Sequence, residues 1–212
     1  MFFIAVFTVE LVAQKQANWW YFGNNAGLNF NTMSAATHPV PLGMSNGAMR
    51  TTEGCASISD VNGNLLFYTD GIRVWDARHM VMPNGTGLMG NSSSTQSGVI
   101  VPDPSNKKKF YVFTADHGGA PNHNGLRYSV VDMTLNSGNG DVVTSNKNTL
   151  VFAPCAERIT ATKITSANGF WVVAQELGAN KYRAYQVTSA GVANTPTTTT
   201  IGPTPTGTSF LG

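Results

Sequence analysis

The residues best equipped for chemistry in this sequence share one loop. Residues 116–124 (DHGGAPNHN) place Asp116, His117 and His123 within eight positions. Imidazole nitrogens and carboxylates suit zinc or another transition metal, and loops between strands are where scaffolds commonly carry such sites. The glycines and proline leave this loop loose, however, and no third strong ligand is evident, so no metal is assigned to it. Oxygen-bearing side chains also alternate at Asp60, Asn62 and Asn64, as they do at the start of a calcium loop. A helix-loop-helix calcium site needs a bidentate Glu at its twelfth position, where this chain has Gly71. The favoured reading is a hairpin turn, with Gly63 at positive φ and Asp60 accepting from the turn amides. Tyr68-Thr69-Asp70-Gly71 reads the same way.

Catalysis needs a nucleophile or an acid/base pair. Glu53, Glu157 and Glu176 fall at or near expected strand ends, and glycosidases use paired carboxylates. Nothing in their spacing brings two of them within the roughly 5–10 Å that such a mechanism requires. No catalytic, cofactor-binding or metal residue is therefore assigned, and the chain is expected not to be an enzyme. Cys55 and Cys155 both stand just before the first strand of a repeating unit. Equivalent positions in non-adjacent units lie beyond the roughly 7 Å Cα limit for a bridge, so two buried free thiols are expected.

Strands must position these groups. Residues 52–75 (TEGCASISDVNGNLLFYTDGIRVW) read as a three-stranded meander: a short strand at 56–59, a turn at 60–64, an apolar strand at 65–69 and a third strand at 72–75. Aromatic strand cores recur at Trp19-Trp20-Tyr21-Phe22, Leu65-Leu66-Phe67-Tyr68, Phe110-Tyr111-Val112-Phe113 and Phe170-Trp171-Val172-Val173. Each is followed by a second strand, at 28–30, 72–75, 126–131 and 182–187, and the last three are preceded by one, at 56–59, 98–101 and 159–164. A period of roughly 40–50 residues, once stretched to about 60, with three or four strands in each, predicts propeller blades. The consecutive apolar positions of the core strands predict cover on both faces, whereas residues 125–131 alternate, with Leu126, Tyr128 and Val130 on one face. A two-sheet sandwich of aromatic hairpins is the alternative.

The expected fold is thus all-β, a β-propeller forming an incomplete ring of about three to four blades of antiparallel meander sheets. Residues 15–192 hold the blades, and residues 193–212 form a Thr/Pro-rich outer strand, with 197–201 as its strand, or a connection into a further, truncated blade beginning at 207–212. The first hairpin lacks an inner strand before it, so an open arc with apolar surface at its ends is expected. Trp19, Tyr21, Phe67, Phe113 and Trp171 are expected to be largely buried between blades.

Composition agrees. Charged residues are 11% of 212, with a formal net charge of +2, which points away from nucleic acid and acidic partners. Glycine is abundant at 22 while Lys and Glu are scarce, as in chains of many strands and turns. Two cysteines are too few for a disulfide framework. Residues 1–14 (MFFIAVFTVELVAQ) resemble a secretory signal peptide without its basic start, with cleavage expected near Gln14. That apolar run is about half the roughly 20 residues of a membrane span.

Four stretches carry a family resemblance: WYFGNNAGLNF at 20–30, the meander at 52–75, MPNGTGLMGNSSSTQSGVIVPDP at 82–104 and GLRYSVVDMTLNSGNGDV at 125–142. Together they resemble the N-terminal propeller-like region of large secreted proteins of the Bacteroidota, which often end in a type IX secretion sorting domain. The resemblance implies export and a binding or display role at the cell surface. The implied partners are an unidentified protein or glycan ligand and the remainder of the propeller or downstream domains. A carbohydrate-active propeller enzyme using channel carboxylates is the alternative.

Overall fold

The computed structural model describes residues 15–33, 40–119 and 123–205. The signal-like segment 1–14 and the inner strand expected at 207–212 lie outside the described residues. Apart from three single-turn 3-10 helices, the regular structure there is β, in four antiparallel sheets taken in chain order. Sheet 1 holds β1 (Trp19–Phe22), β2 (Ala26–Met33) and β3 (Pro41–Met44); sheet 2 holds β4 (Ala56–Ser59), β5 (Leu65–Thr69) and β6 (Val74–Asp76). Sheet 3 runs β7 (Gly98–Asp103), β8 (Asn106–Ala115), β9 (Leu126–Asp132), then β10 (Asp141–Val142) and β11 (Thr149–Phe152), both paired to β9. Sheet 4 runs β12 (Cys155–Lys163), β13 (Phe170–Glu176), β14 (Lys181–Thr188), then β15 (Gly191–Val192) and β16 (Thr197–Thr200), both paired to β14. Among the described residues no sheet closes on itself.

Each successive pair of sheets shares one core. Tyr21 and Met49 meet Tyr68 and Trp75 between sheets 1 and 2. Ile58, Phe67 and Val74 meet Phe110, Val112 and Val131 between sheets 2 and 3. Val101, Phe113 and Leu126 meet Ile159, Val172 and Tyr185 between sheets 3 and 4. A middle strand therefore points alternate residues into opposite cores. On β8, Phe110 and Val112 face sheet 2 while Phe113 and Ala115 face sheet 4. This is why its Phe110–Phe113 run is apolar without interruption. The first strands touch in series as well, β1 against β4, β4 against β7, and β7 against β12.

Aspartates shape the connections. Asp60, Asp70, Asp76, Asp103 and Asp132 each accept the backbone N–H two residues on. This is the Asx turn, in which a carboxylate stands in for a backbone acceptor. The expected turn at 60–64 forms as such: Asp60 Oδ1 accepts from the Asn62 and Asn64 amides at 2.8 Å, and Gly63 takes φ +89°. The turn at Asp70 occupies Ile72 and Arg73, so β6 begins at Val74 rather than at residue 72.

Several other expectations are corrected. Trp19-Trp20-Tyr21-Phe22 is not a middle strand like the other aromatic cores; β1 is the edge strand that meets β4, and β2 and β3 follow it. The face of β1 opposite Tyr21 is open, with Trp20 50% and Phe22 38% exposed. Trp19 and Trp171 are only half-buried, whereas Tyr21, Phe67 and Phe113 are buried. The alternation expected on β9 fails because Ser129 is fully buried, its hydroxyl accepting from the Asn148 amide, while Tyr128 and Val130 are half-buried. Thr197–Thr200 pairs antiparallel with β14.

Phe67 has no exposed surface and meets Phe110 edge-on at 5.4 Å. Phe67→Ala is expected to lower stability by about 3–5 kcal/mol, and Trp20→Ala by less than about 1 kcal/mol. Denaturant midpoints of the two variants check this; equal shifts would contradict the shared-core assignment.

Candidate functional site

The most site-like concavity lies where sheets 1 and 2 meet. Trp19 and Tyr21, two positions apart on β1, lie on one face with rings 6.1 Å apart and nearly parallel. Tyr21 stacks on Tyr68 at 4.6 Å, and Tyr68 on Trp75 at 5.5 Å, giving a ladder of four rings across the two sheets. Stacked or tilted pairs at these separations contribute beyond their buried area. The 60–64 turn docks onto this ladder. Trp19 Nε1 and Asn31 Nδ2 both donate to the Gly63 carbonyl, at 2.9 and 2.8 Å. A Cβ on Gly63 would collide with Asn31 Oδ1, so both the positive φ and the close approach require glycine here.

A polar relay lies beside the ladder. The Tyr21 hydroxyl donates to Asn46 Oδ1 at 3.1 Å, Asn46 Nδ2 lies 3.0 Å from His79 Nε2, and His79 Nδ1 lies 3.1 Å from the Tyr68 hydroxyl. With a neutral ring, Asn46 donates to Nε2 and Nδ1–H donates to Tyr68, whose oxygen also accepts the Ala48 amide at 3.0 Å. Burial lowers the His79 pKa against a smaller opposing pull from Asp76, and burial lifts the Tyr68 phenol to about 12. His79 has φ +64°, rare for a residue with a Cβ, and its ring meets Tyr21 edge-on at 5.2 Å. Sequence reading passed over His79, Tyr21 and Asn46 as site residues because they converge only through sheet packing.

The resulting cleft has a volume of ≈ 550 Å³, within the range of small-ligand sites. Trp19, Tyr21, Asn29, Asn62, Asn64 and His79 give it aromatic and amide walls, and no Asp, Glu, Lys or Arg lines it. A second groove of ≈ 590 Å³ runs along β1, β4 and β7. Its polar groups serve the fold: Ser57 Oγ accepts the Tyr21 amide and Gln96 Oε1 accepts the Ile159 amide, each at 2.9 Å.

The residues singled out from sequence form no common site, although His117 is brought up to Glu157. Asp116 is buried, accepting from His117 N, Asn91 Nδ2 and Asn124 N. His123 Nδ1 accepts the Gly125 amide, and no trio of His, Cys, Asp and Glu gathers among the described residues. Glu157 is a buried clamp between sheets 3 and 4: its carboxylate accepts Thr95 N, Thr95 Oγ1 and Gly118 N, with His117 Nε2 at 3.8 Å. These contacts outweigh desolvation, the largest single influence, and hold its pKa below the ordinary value. Glu176 is paired with Arg183 at 2.7 Å and Lys181 at 3.6 Å, and Glu53 is exposed. Cys55 and Cys155 are free thiols; Cys155 is buried, as expected, but Cys55 is half-buried. Gly43-Met44-Ser45-Asn46-Gly47 fits a nucleophile-elbow pattern that the sequence reading missed. It lies at the end of β3 and runs into irregular chain rather than a helix, so the strand-turn-helix that exposes such a serine is lacking.

Because the folded pKa of His79 is lowered, the unfolded chain takes up its proton first as pH falls. Its contribution to stability is complete above the unfolded value near 6.5 and is lost as pH falls from there toward the folded value. His79→Asn, which tolerates the same backbone, is expected to flatten the fall in denaturant midpoint as pH drops below about 6.5. An unchanged slope would contradict the neutral relay. No protein-family model matches the chain, and no curated protein or solved structure matches it either.

Proposed function

We propose that this chain is an exported binding module of the cell surface, a β-propeller segment of about three to four blades that takes up its ligand in the cleft between sheets 1 and 2. The observation that carries this reading is the disposition of charge. Every described carboxylate except Glu53 accepts a hydrogen bond in a turn, a clamp or an ion pair, while the cleft between sheets 1 and 2 combines aromatic walls with side-chain amides and carries no charged side chain. Committed carboxylates build scaffolds, and a rigid aromatic and amide surface recognises ligands. The propeller reading is supported by four antiparallel sheets that share faces in series and bring their first strands together. Export and surface location rest on the signal-like segment 1–14 and on the resemblance to secreted Bacteroidota proteins.

Full-length chain offered a panel of surface glycans and proteins, with product analysis alongside, tests the reading. The expected result is saturable binding weakened by Trp19→Ala, with no product released. Release of product that Glu53→Gln, Glu157→Gln or Glu176→Gln abolishes, in a folded variant, would establish the carbohydrate-active alternative instead.

A further inference from the structure

We infer that the ligand of the cleft between sheets 1 and 2 is a neutral saccharide; this rests on the cleft being the binding site of the module. Charge is the first selection. A phosphate, sulfate or carboxylate group entering the cleft would find no Lys or Arg, and a cationic group no Asp or Glu. Burial lowers the His79 pKa, which favours the uncharged imidazole.

Donor and acceptor geometry is the second selection. Among the described residues, the Asn62 side-chain amide makes no hydrogen bond, since only its backbone N–H serves the Asp60 turn. Asn29 Nδ2 is also free, its Oδ1 being occupied by the Asn31 backbone and side-chain N–H groups. Asn64 uses its Nδ2 on Asp60 and keeps Oδ1 unpartnered. Free amide donors and acceptors on one rim match sugar hydroxyls, each of which both donates and accepts.

The aromatic ladder is the third. It ends at the half-buried ring of Trp19, which the Gly63 carbonyl fixes through Nε1. A held aromatic face beside amides serves the apolar C–H face of a pyranose while its edge hydroxyls are bonded. A nucleotide would use the same rings and amides but brings phosphates that no cation here meets.

The test is a panel of neutral and anionic oligosaccharides against the full chain by array and titration calorimetry. Neutral members are expected to bind, without dependence on added salt. Asn62→Ala is expected to weaken binding about tenfold while keeping the parental denaturant midpoint, because its side chain holds nothing in the fold. Trp19→Ala is expected to weaken it at least as much, and Lys107→Ala, on the exposed start of β8, to leave it unchanged. A preference for anionic members, an Asn62→Ala variant with parental affinity, or no neutral member bound would overturn the inference. Should another class of ligand bind and be lost with Trp19→Ala and Asn62→Ala, the cleft remains the binding site and only the saccharide is wrong. If the bound ligand ignores both substitutions, the cleft falls with it.

Discussion

The structure depends on faces shared between sheets. None of the four sheets has a core of its own; each buries a face only by lending it to a neighbour, and a middle strand such as β8 lends one to each side. A single small sheet leaves its apolar faces bare, so this series of shared cores is what makes the four a structure. The same constraint explains why exposed aromatics gather on sheet 1. Tyr21 has Tyr68 to pack on, while Trp20 and Phe22, on the other face of β1, have no sheet against them among the described residues.

Polar groups follow from that arrangement. With few charged residues available, the chain uses its aspartates to close turns and Glu157 and Asp141 to tie one sheet's loops to the next, Asp141 through the Asn84 amide and side chain. A carboxylate bonded to two or three N–H groups is stabilised in its ionised form and has little left to offer a substrate. Uncharged groups remain for the surface between sheets 1 and 2. There the Asp60 turn joins the two roles, since the glycine that shapes it also presents the carbonyl on which Trp19 and Asn31 hang.

Much of this was legible in the sequence. The limits of β1, β4 and β5 coincide with those expected from apolar runs bounded by Gly, Asn and Asp, and the Asp60 turn follows from its residue types. The propeller itself remains a proposal supported by the sheet order. What the sequence hid was relational. An aromatic run looks the same on an edge strand as on a middle strand, so β1 was placed one strand too far into its sheet. Ser129 reads as a solvent-facing residue, but it is fully buried and the Asn148 amide, just before β11, donates to its hydroxyl. His79 carries no local signal at all, because its partners Tyr21 and Asn46 come from another sheet and the chain after β3.

Amide hydrogen exchange, strand by strand, tests the shared-core claim most directly. Phe113, with no exposed surface, belongs to the core between sheets 3 and 4. If the faces are shared, Phe113→Ala lowers protection in β13 and β14 as much as in β8 and β9, and lowers it in β5 through the core on the other side of β8. Loss confined to sheet 3, with β13 and β5 as protected as before, would contradict the account.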